Sequence, residues 1–252
     1  VQSGEIQEKV RSPRKLERKL GMTPKTLLAV GAHYDDCVFA IPGILLQAAQ
    51  KNYRIVILSL VGDYTNWRPA AGREQVIIEG AARISKEFGA EMRFLKFASM
   101  RFECSEDNKR ILAQAVAEIQ PDVALTMWPR DHHADHEVAA QLAKVALRHG
   151  DRLLGKGRLY KRPSRIYEYD AGPRHTREFE PNVYVDVSAE WPAAMEWLGQ
   201  LMALVRNEKY SPDRQEGAQI AKETLARYRG LACGVRHAEA LRTTNDYPIN
   251  IL

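Results

Sequence analysis

The sequence predicts an α/β fold built on a mainly parallel sheet, and three observations carry that reading. Apolar stretches of strand length alternate with longer amphipathic stretches of helix length along the first 150 residues. Turn signals of glycine, proline or aspartate separate them. Alternation at this spacing requires βαβ crossovers, and these place helices over a sheet of parallel strands. The overall expectation is a Rossmann-like, three-layer arrangement with further strands and helices toward the C-terminus.

The elements follow in order. Residues 26–32 (TLLAVGA) read as the first buried strand, and 42–51 as a helix that opens on proline at its first turn. Residues 54–60 are the next strand, and 72–88 a helix that stops at Gly89, a residue suited to a C-cap. A strand over 92–97, a helix over 107–119 closed before Pro121, a strand over 122–127 and a helix over 135–147 complete the alternation. Residues 150–165 read as a long loop. Two strands, 166–169 and 183–187, and two helices, 189–206 and 213–229, fill the rest. The domain reading is a basic arm over 1–25 followed by a single domain over 26–252.

Composition narrows the function classes. A hydrophobic fraction of 45% and a charged fraction of 27% are ordinary for a globular protein. No apolar stretch approaches the ~20 residues of a membrane span. The cytoplasm is therefore the favoured compartment, although a start at Val1 leaves room for a leader already removed. Of the net charge of +5, residues 1–25 contribute seven Lys or Arg against three Glu. A second basic run, Arg152 to Arg165, carries six positive charges. Both read as solvated segments. Nucleic-acid binding is not expected, because the arm has no aromatics interleaved with the basic residues. Cys37, Cys104 and Cys233 have neither a metal-binding spacing nor a disulfide pattern.

Chemistry concentrates at two places. His33, Asp35 and Asp36 follow the first strand, and "WPRDHHADHE" follows the strand over 122–127. Ligands of open parallel sheets sit at the carboxyl ends of the strands, so the fold brings these clusters to one edge. Four of the seven histidines lie in them. Histidine with carboxylate suits Zn²⁺ or a similar divalent ion such as Fe²⁺. His33 and Asp36, three residues apart, are delivered by one turn. A third ligand from the other cluster would leave a position open for water, as in catalytic sites. Asp35 would then be a spare carboxylate able to take a proton from that water. Taken singly, an Asp-Asp pair after a strand is ordinary turn chemistry, and Asp131 or Asp135 could simply cap the next helix. The two clusters together favour the metal.

At these residues the chain resembles the LmbE-like, or PIG-L, family of zinc-dependent de-N-acetylases. Ala32-His33-Tyr34-Asp35-Asp36 is similar to that family's A-H-P-D-D, and His133-Ala134-Asp135-His136 to its H-x-D-H. Residues 229–242 (RGLACGVRHAEALR) resemble its closing R-G…A-E pattern. The resemblance implies His33, Asp36 and His136 as metal ligands and Asp35 as general base. It implies His133 as stabiliser of the tetrahedral intermediate, with Asp135 orienting its imidazole. The implied reaction removes an N-acetyl or related acyl group from an amino sugar or glycoconjugate, with metal-bound water as nucleophile. The family's members often associate, so homo-oligomers belong to the expectation. Tyr34 and Cys37 depart from the family's proline and acidic residue, and Arg101 stands near the place of an aspartate that holds a sugar hydroxyl. Tyr34, Asp63 and Arg73 are candidate substrate contacts. The D-H-H string within "RDHHADH" also suits a two-metal phosphoesterase, but that reading leaves the opening and closing motifs unexplained. A dinucleotide-dependent oxidoreductase would need a G-x-G-x-x-G fingerprint that "GAHYDDC" lacks. A non-enzymatic binding protein would be expected to have lost a ligand or the base.

Overall fold

The computed structural model describes residues 23–155 and 159–248. The basic arm predicted over 1–25 lies almost wholly outside the described residues.

Strand β1 (Thr26–Gly31) is buried along its whole length. It pairs in parallel with β2 (Arg54–Asp63) on one side and with β4 (Val123–Met127) on the other. Leu28, for example, lies opposite both Val56 and Ala124. A strand flanked and covered in this way has no solvent face, which is why it reads as a continuous apolar run. Two parallel strands, β3 (Ala90–Ala98) and β5 (Arg165–Tyr169), extend the sheet outward. Strand β6 (Val183–Asp186) and strand β7 (Ala238–Arg242) finish it, β7 running antiparallel to both β5 and β6. The order across the seven strands is β3-β2-β1-β4-β5-β7-β6.

Helices α1 (Asp36–Ala40) and α2 (Pro42–Gln50) follow β1, and α3 (Glu74–Glu87) follows β2. Helix α4 (Glu106–Ile119) and helix α5 (Ala134–Leu154) pack on each other. Helix α6 (Trp191–Arg206) packs on α2 and α3, and α7 (Gly217–Cys233) on α6. The two groups form the outer layers of a three-layer α/β fold, as the alternation predicts.

The structure departs from the sequence reading in four places. The segment read as a loop from residue 150 begins as helix, because α5 continues to Leu154 with a kink at His149. Gly150 permits this: a Cβ there would collide with the ring of Tyr160, whose hydroxyl donates to Ala146 O. Helix α7 begins four residues later than Asp213, where Glu216 and Gln219 form a reciprocal capping box. Helix α1 is one short turn hidden behind its two aspartates. Strand β7 was not expected, since Glu239 and Arg242 are two of its five residues. Glu239 is nevertheless buried, because Lys222 Nζ lies 3.0 Å away and Gly43 N and Ile44 N donate to its carboxylate at 2.9 and 2.8 Å.

Candidate active site

The turns after β1 and β4 meet at the carboxyl edge of the sheet. His33, Asp35 and Asp36 come from the first turn and the start of α1, and His133 and His136 from the start of α5. The side chains of His33, Asp36 and His136 offer ligand atoms that all lie within 4.8 Å of one another. His33 Nδ1 is 3.5 Å from Asp36 Oδ2, and His136 Nε2 is 3.3 Å from Asp36 Oδ1.

Each of these two histidines has a carboxylate behind it. His33 Nε2 lies 3.0 Å from Asp135 Oδ2. His136 Nδ1 lies 3.1 Å from Asp131 Oδ2, a short contact but poorly aligned as a hydrogen bond. Asp131 is 3% exposed and Asp135 2%. A carboxylate holding the far nitrogen of an imidazole fixes the ring and makes the near nitrogen a better metal donor, and such partners accompany most histidine ligands. The donor set therefore fits a divalent cation between His33 Nδ1, His136 Nε2 and Asp36.

The electrostatics agree. Burial alone would lower the pKa of His33, but Asp36 and the hydrogen bonds to Asp135 and Asp36 push it up to about 9. Asp36 and Asp131 likewise overcome burial at His136 and raise it to about 10. Burial opposes ionisation of Asp36, yet His136 and His33 hold its carboxyl well below the usual range. The carboxylates thus draw positive charge into the cluster. Asp35 behaves differently: burial and the adjacent charge of Asp36 push it up to about 6.

Asp135 holds the His133 ring through its backbone N–H, while its carboxylate hydrogen-bonds to His33. Ligand atoms of His33, His133 and Asp135 all lie within 4.8 Å of one another. Asp135 accepts from Ser99 Oγ at 3.2 Å and from Met100 N at 3.0 Å as well as facing His33. Met100 reaches it from a left-handed conformation, φ 61°, uncommon outside glycine. His133 is the N-cap of α5, and its Nδ1 accepts from Asp135 N at 3.2 Å. Neither Asp131 nor Asp135 takes that capping role. The cap leaves Nε2 of His133 to carry the ring proton, and burial with the neighbouring His33 and His136 lowers its pKa.

Two of the three candidate substrate contacts lie elsewhere. The guanidinium of Arg73 donates to Val205 O at 2.6 Å and ties α3 to the end of α6. Asp63 closes its own turn, with Oδ1 accepting from Thr65 N at 2.9 Å and Thr65 Oγ1 at 2.7 Å. Both are absent from the cleft wall. Tyr34 is in the wall, its ring 6.1 Å from Tyr64 and 6.2 Å from Trp67. The sequence reading missed Tyr64, Trp67, Ser99, Met100 and His175, all cleft-lining. His175 had one available signal, a histidine in a Gly-Pro loop just past a strand end. Its Nδ1 lies 3.7 Å from Asp131 Oδ1.

Residues 28–147 match the PIG-L family model, described as GlcNAc-PI de-N-acetylase. Over these residues the chain is similar to the PIG-L family. The matched segment runs from β1 to the middle of α5 and holds both histidine clusters. The enzyme class that goes with this family is a metal-dependent N-deacetylase. Among solved structures, the fold is similar to GalB, the 4-carboxy-2-hydroxymuconate hydratase of Pseudomonas putida. That match has 20% identity, covers 90% of this chain and 99% of that one, and has a TM-score of 0.74. N,N'-diacetylchitobiose deacetylase of Pyrococcus horikoshii matches at 18% identity over 95% and 94% of the two chains, TM-score 0.70. A conserved protein of Thermus thermophilus matches at 22% identity over 89% and 97%, TM-score 0.71. No curated protein sequence matches the chain. Among the described residues no helix is long and apolar enough to cross a membrane.

Proposed function

We propose that the chain is a metal-dependent hydrolase that removes an acyl group from the nitrogen of an amino sugar or glycoconjugate. The observation that carries the proposal is the paired support of the histidines: His33 and His136 turn one nitrogen each toward Asp36 and rest the other against Asp135 and Asp131. His33, Asp36 and His136 would hold the metal, with zinc the preferred ion. A divalent ion bound there supplies Lewis acidity, which polarises an acyl carbonyl and acidifies water.

The remaining roles belong to the chain itself. Asp35 adjoins Asp36, lines the cleft and is not needed as a ligand, which suits it to take a proton from the attacking water. It can hand the same proton to the departing nitrogen, which must leave as an amine. His133, fixed by its cap with Nε2 as donor, would stabilise the oxyanion of the tetrahedral intermediate. Trp67, half-buried and packed on the buried rings of Tyr34 and Tyr64, offers aromatic surface to the amine portion of the substrate.

The neighbours described as deacetylases support this reading over a two-metal phosphoesterase. The neighbour described as a hydratase shows that the fold alone does not choose the reaction. The deciding experiment offers the metal-loaded protein a panel of N-acylated glucosamines and assays free amine. Release that requires both metal and Asp35 supports the proposal. No release from any member, with metal bound, contradicts it.

A further inference from the structure

The cleft has two lobes that meet at the histidine–aspartate cluster, and the side chains that each adds to that cluster differ. Asp35, Asp36, His136 and His175 line both. The first lobe, about 270 Å³, adds the aromatic side chains of Tyr34, Tyr64 and Trp67 and the hydroxyl of Ser99. The second, about 210 Å³, lies between α1, the loop after β5, α6 and α7. Its added wall is apolar: Phe39, Ala171, Pro173, Met202, Ala218 and Ala221. Arg174, the one charged side chain that this lobe adds, is exposed and so stands at its mouth.

Local sequence builds this second lobe. Gly172, at φ +94°, bends the loop against Phe39, and a Cβ there would come within 2.7 Å of that ring. Ala218 and Ala221, three residues apart, put two small side chains on one face of α7. A Cβ added at Gly217, one residue before Ala218, would meet nothing within 4 Å. Larger residues at these positions would close the space.

A sugar placed in this lobe would find side-chain partners only in the shared Asp35, Asp36, His136 and His175 and in Arg174. Its hydroxyls facing Phe39, Pro173, Met202, Ala218 and Ala221 would lose water without gaining a side-chain partner, which is costly. An alkyl chain has no such groups and gains from burial in proportion to its length. The methyl of an acetyl group would fill only a small part of 210 Å³. We propose that the second lobe is an acyl subsite for straight chains longer than acetyl, of the butanoyl to hexanoyl class. The amine portion then lies in the aromatic lobe. The assignment rests on the deacylase reading above and deepens it. The reaction is hydrolysis: the amide C–N bond breaks, water supplies the new C–O bond, and the products are a carboxylate and a protonated amine. Nothing is oxidised or reduced.

Two readouts test it. The first is release of glucosamine from its N-acetyl, N-butanoyl and N-hexanoyl forms by the zinc-loaded protein. The second is calorimetric binding of acetate, butanoate and hexanoate to the same protein, which needs no turnover. Each buried methylene is worth up to about fourfold. The hexanoyl substrate should therefore exceed the acetyl one in kcat/KM by at least about tenfold, and hexanoate should bind at least about tenfold tighter than acetate. Ala221→Leu, and separately Ala218→Leu, should bring both ratios down toward one. Both positions are partly exposed, so two variants guard against a folding failure in either. If hexanoate binds no tighter than acetate, or if neither leucine moves the ratios, the subsite is wrong. If no glucosamine appears from any substrate while hexanoate binds tightly and the leucines abolish its advantage, the apolar subsite stands and the deacylase reading falls.

Discussion

Among the buried groups of charged side chains, two are built on opposite plans. Lys222 and Glu239 form a closed set. The carboxylate of Glu239 accepts from Gly43 N, Ile44 N and Lys222, and Lys222 also donates to Ala40 O at 2.6 Å. One positive charge meets one negative charge, and backbone groups use up the remaining capacity. The cluster at the sheet edge is open. Asp36, Asp131 and Asp135 contact only histidines among possible cations, and among the described residues no lysine or arginine pairs with them or with Asp35. A closed ion pair fastens β7 and α7 to the α1–α2 junction. An open group of carboxylates facing a cleft has a net demand for positive charge, which a divalent ion answers. Burial does not separate structure from function here; completeness does.

That contrast can be broken at several points. The largest effect is expected from Asp35→Asn, which should lower kcat by about 10²–10⁴-fold, the usual worth of a general base. Metal content should stay close to wild type, so kinetics at matched metal occupancy decide the point. Wild-type turnover would move the base elsewhere. In the closed cluster, Lys222→Met leaves Glu239 buried without its cation. That should cost about 3–5 kcal/mol of stability, read as a lowered denaturation midpoint. An unchanged midpoint would mean that Glu239 is satisfied by backbone alone.

Smaller effects sharpen the comparison within the open cluster. His133→Ala should reduce kcat by about 10²–10³-fold with little change in KM, because an oxyanion donor acts mainly in the transition state. His132→Ala, one residue away and outside the cleft wall, should leave kcat within about threefold. The reverse pattern would shift the assignment by one residue and revive the D-H-H phosphoesterase. Asp131→Asn acts on the metal instead, since it keeps the shape but weakens the hold on His136. It should lower metal affinity by about 10–100-fold, measured by competition with a chelator.

The sequence made the sheet legible because burial on both faces leaves a strand no choice but apolar residues, as in Leu27 to Val30. It made the meeting of the two histidine clusters legible because parallel strands end on the same edge. The partners behind the histidines were harder to see. Asp131 carries no local pattern that distinguishes it from a turn or cap residue. The direction of Asp135 depends on Ser99 and Met100, which arrive from the end of another strand. Tyr64, Trp67 and His175 are single residues in loops, placed by tertiary packing. The strand with Glu239 was hidden for a related reason: its charge is neutralised by Lys222, and no local pattern announces a partner 17 positions away.

The central claim is that His33, Asp36 and His136 form a single divalent-metal centre. Zinc content and affinity of the purified protein, measured beside Asp36→Ala, His136→Ala and Lys222→Met, test it most directly. The account predicts about one ion per chain in the wild type, loss of that ion in Asp36→Ala and His136→Ala, and retention in whatever fraction of Lys222→Met remains folded. Folded Asp36→Ala and His136→Ala proteins that hold zinc as tightly as wild type would contradict it.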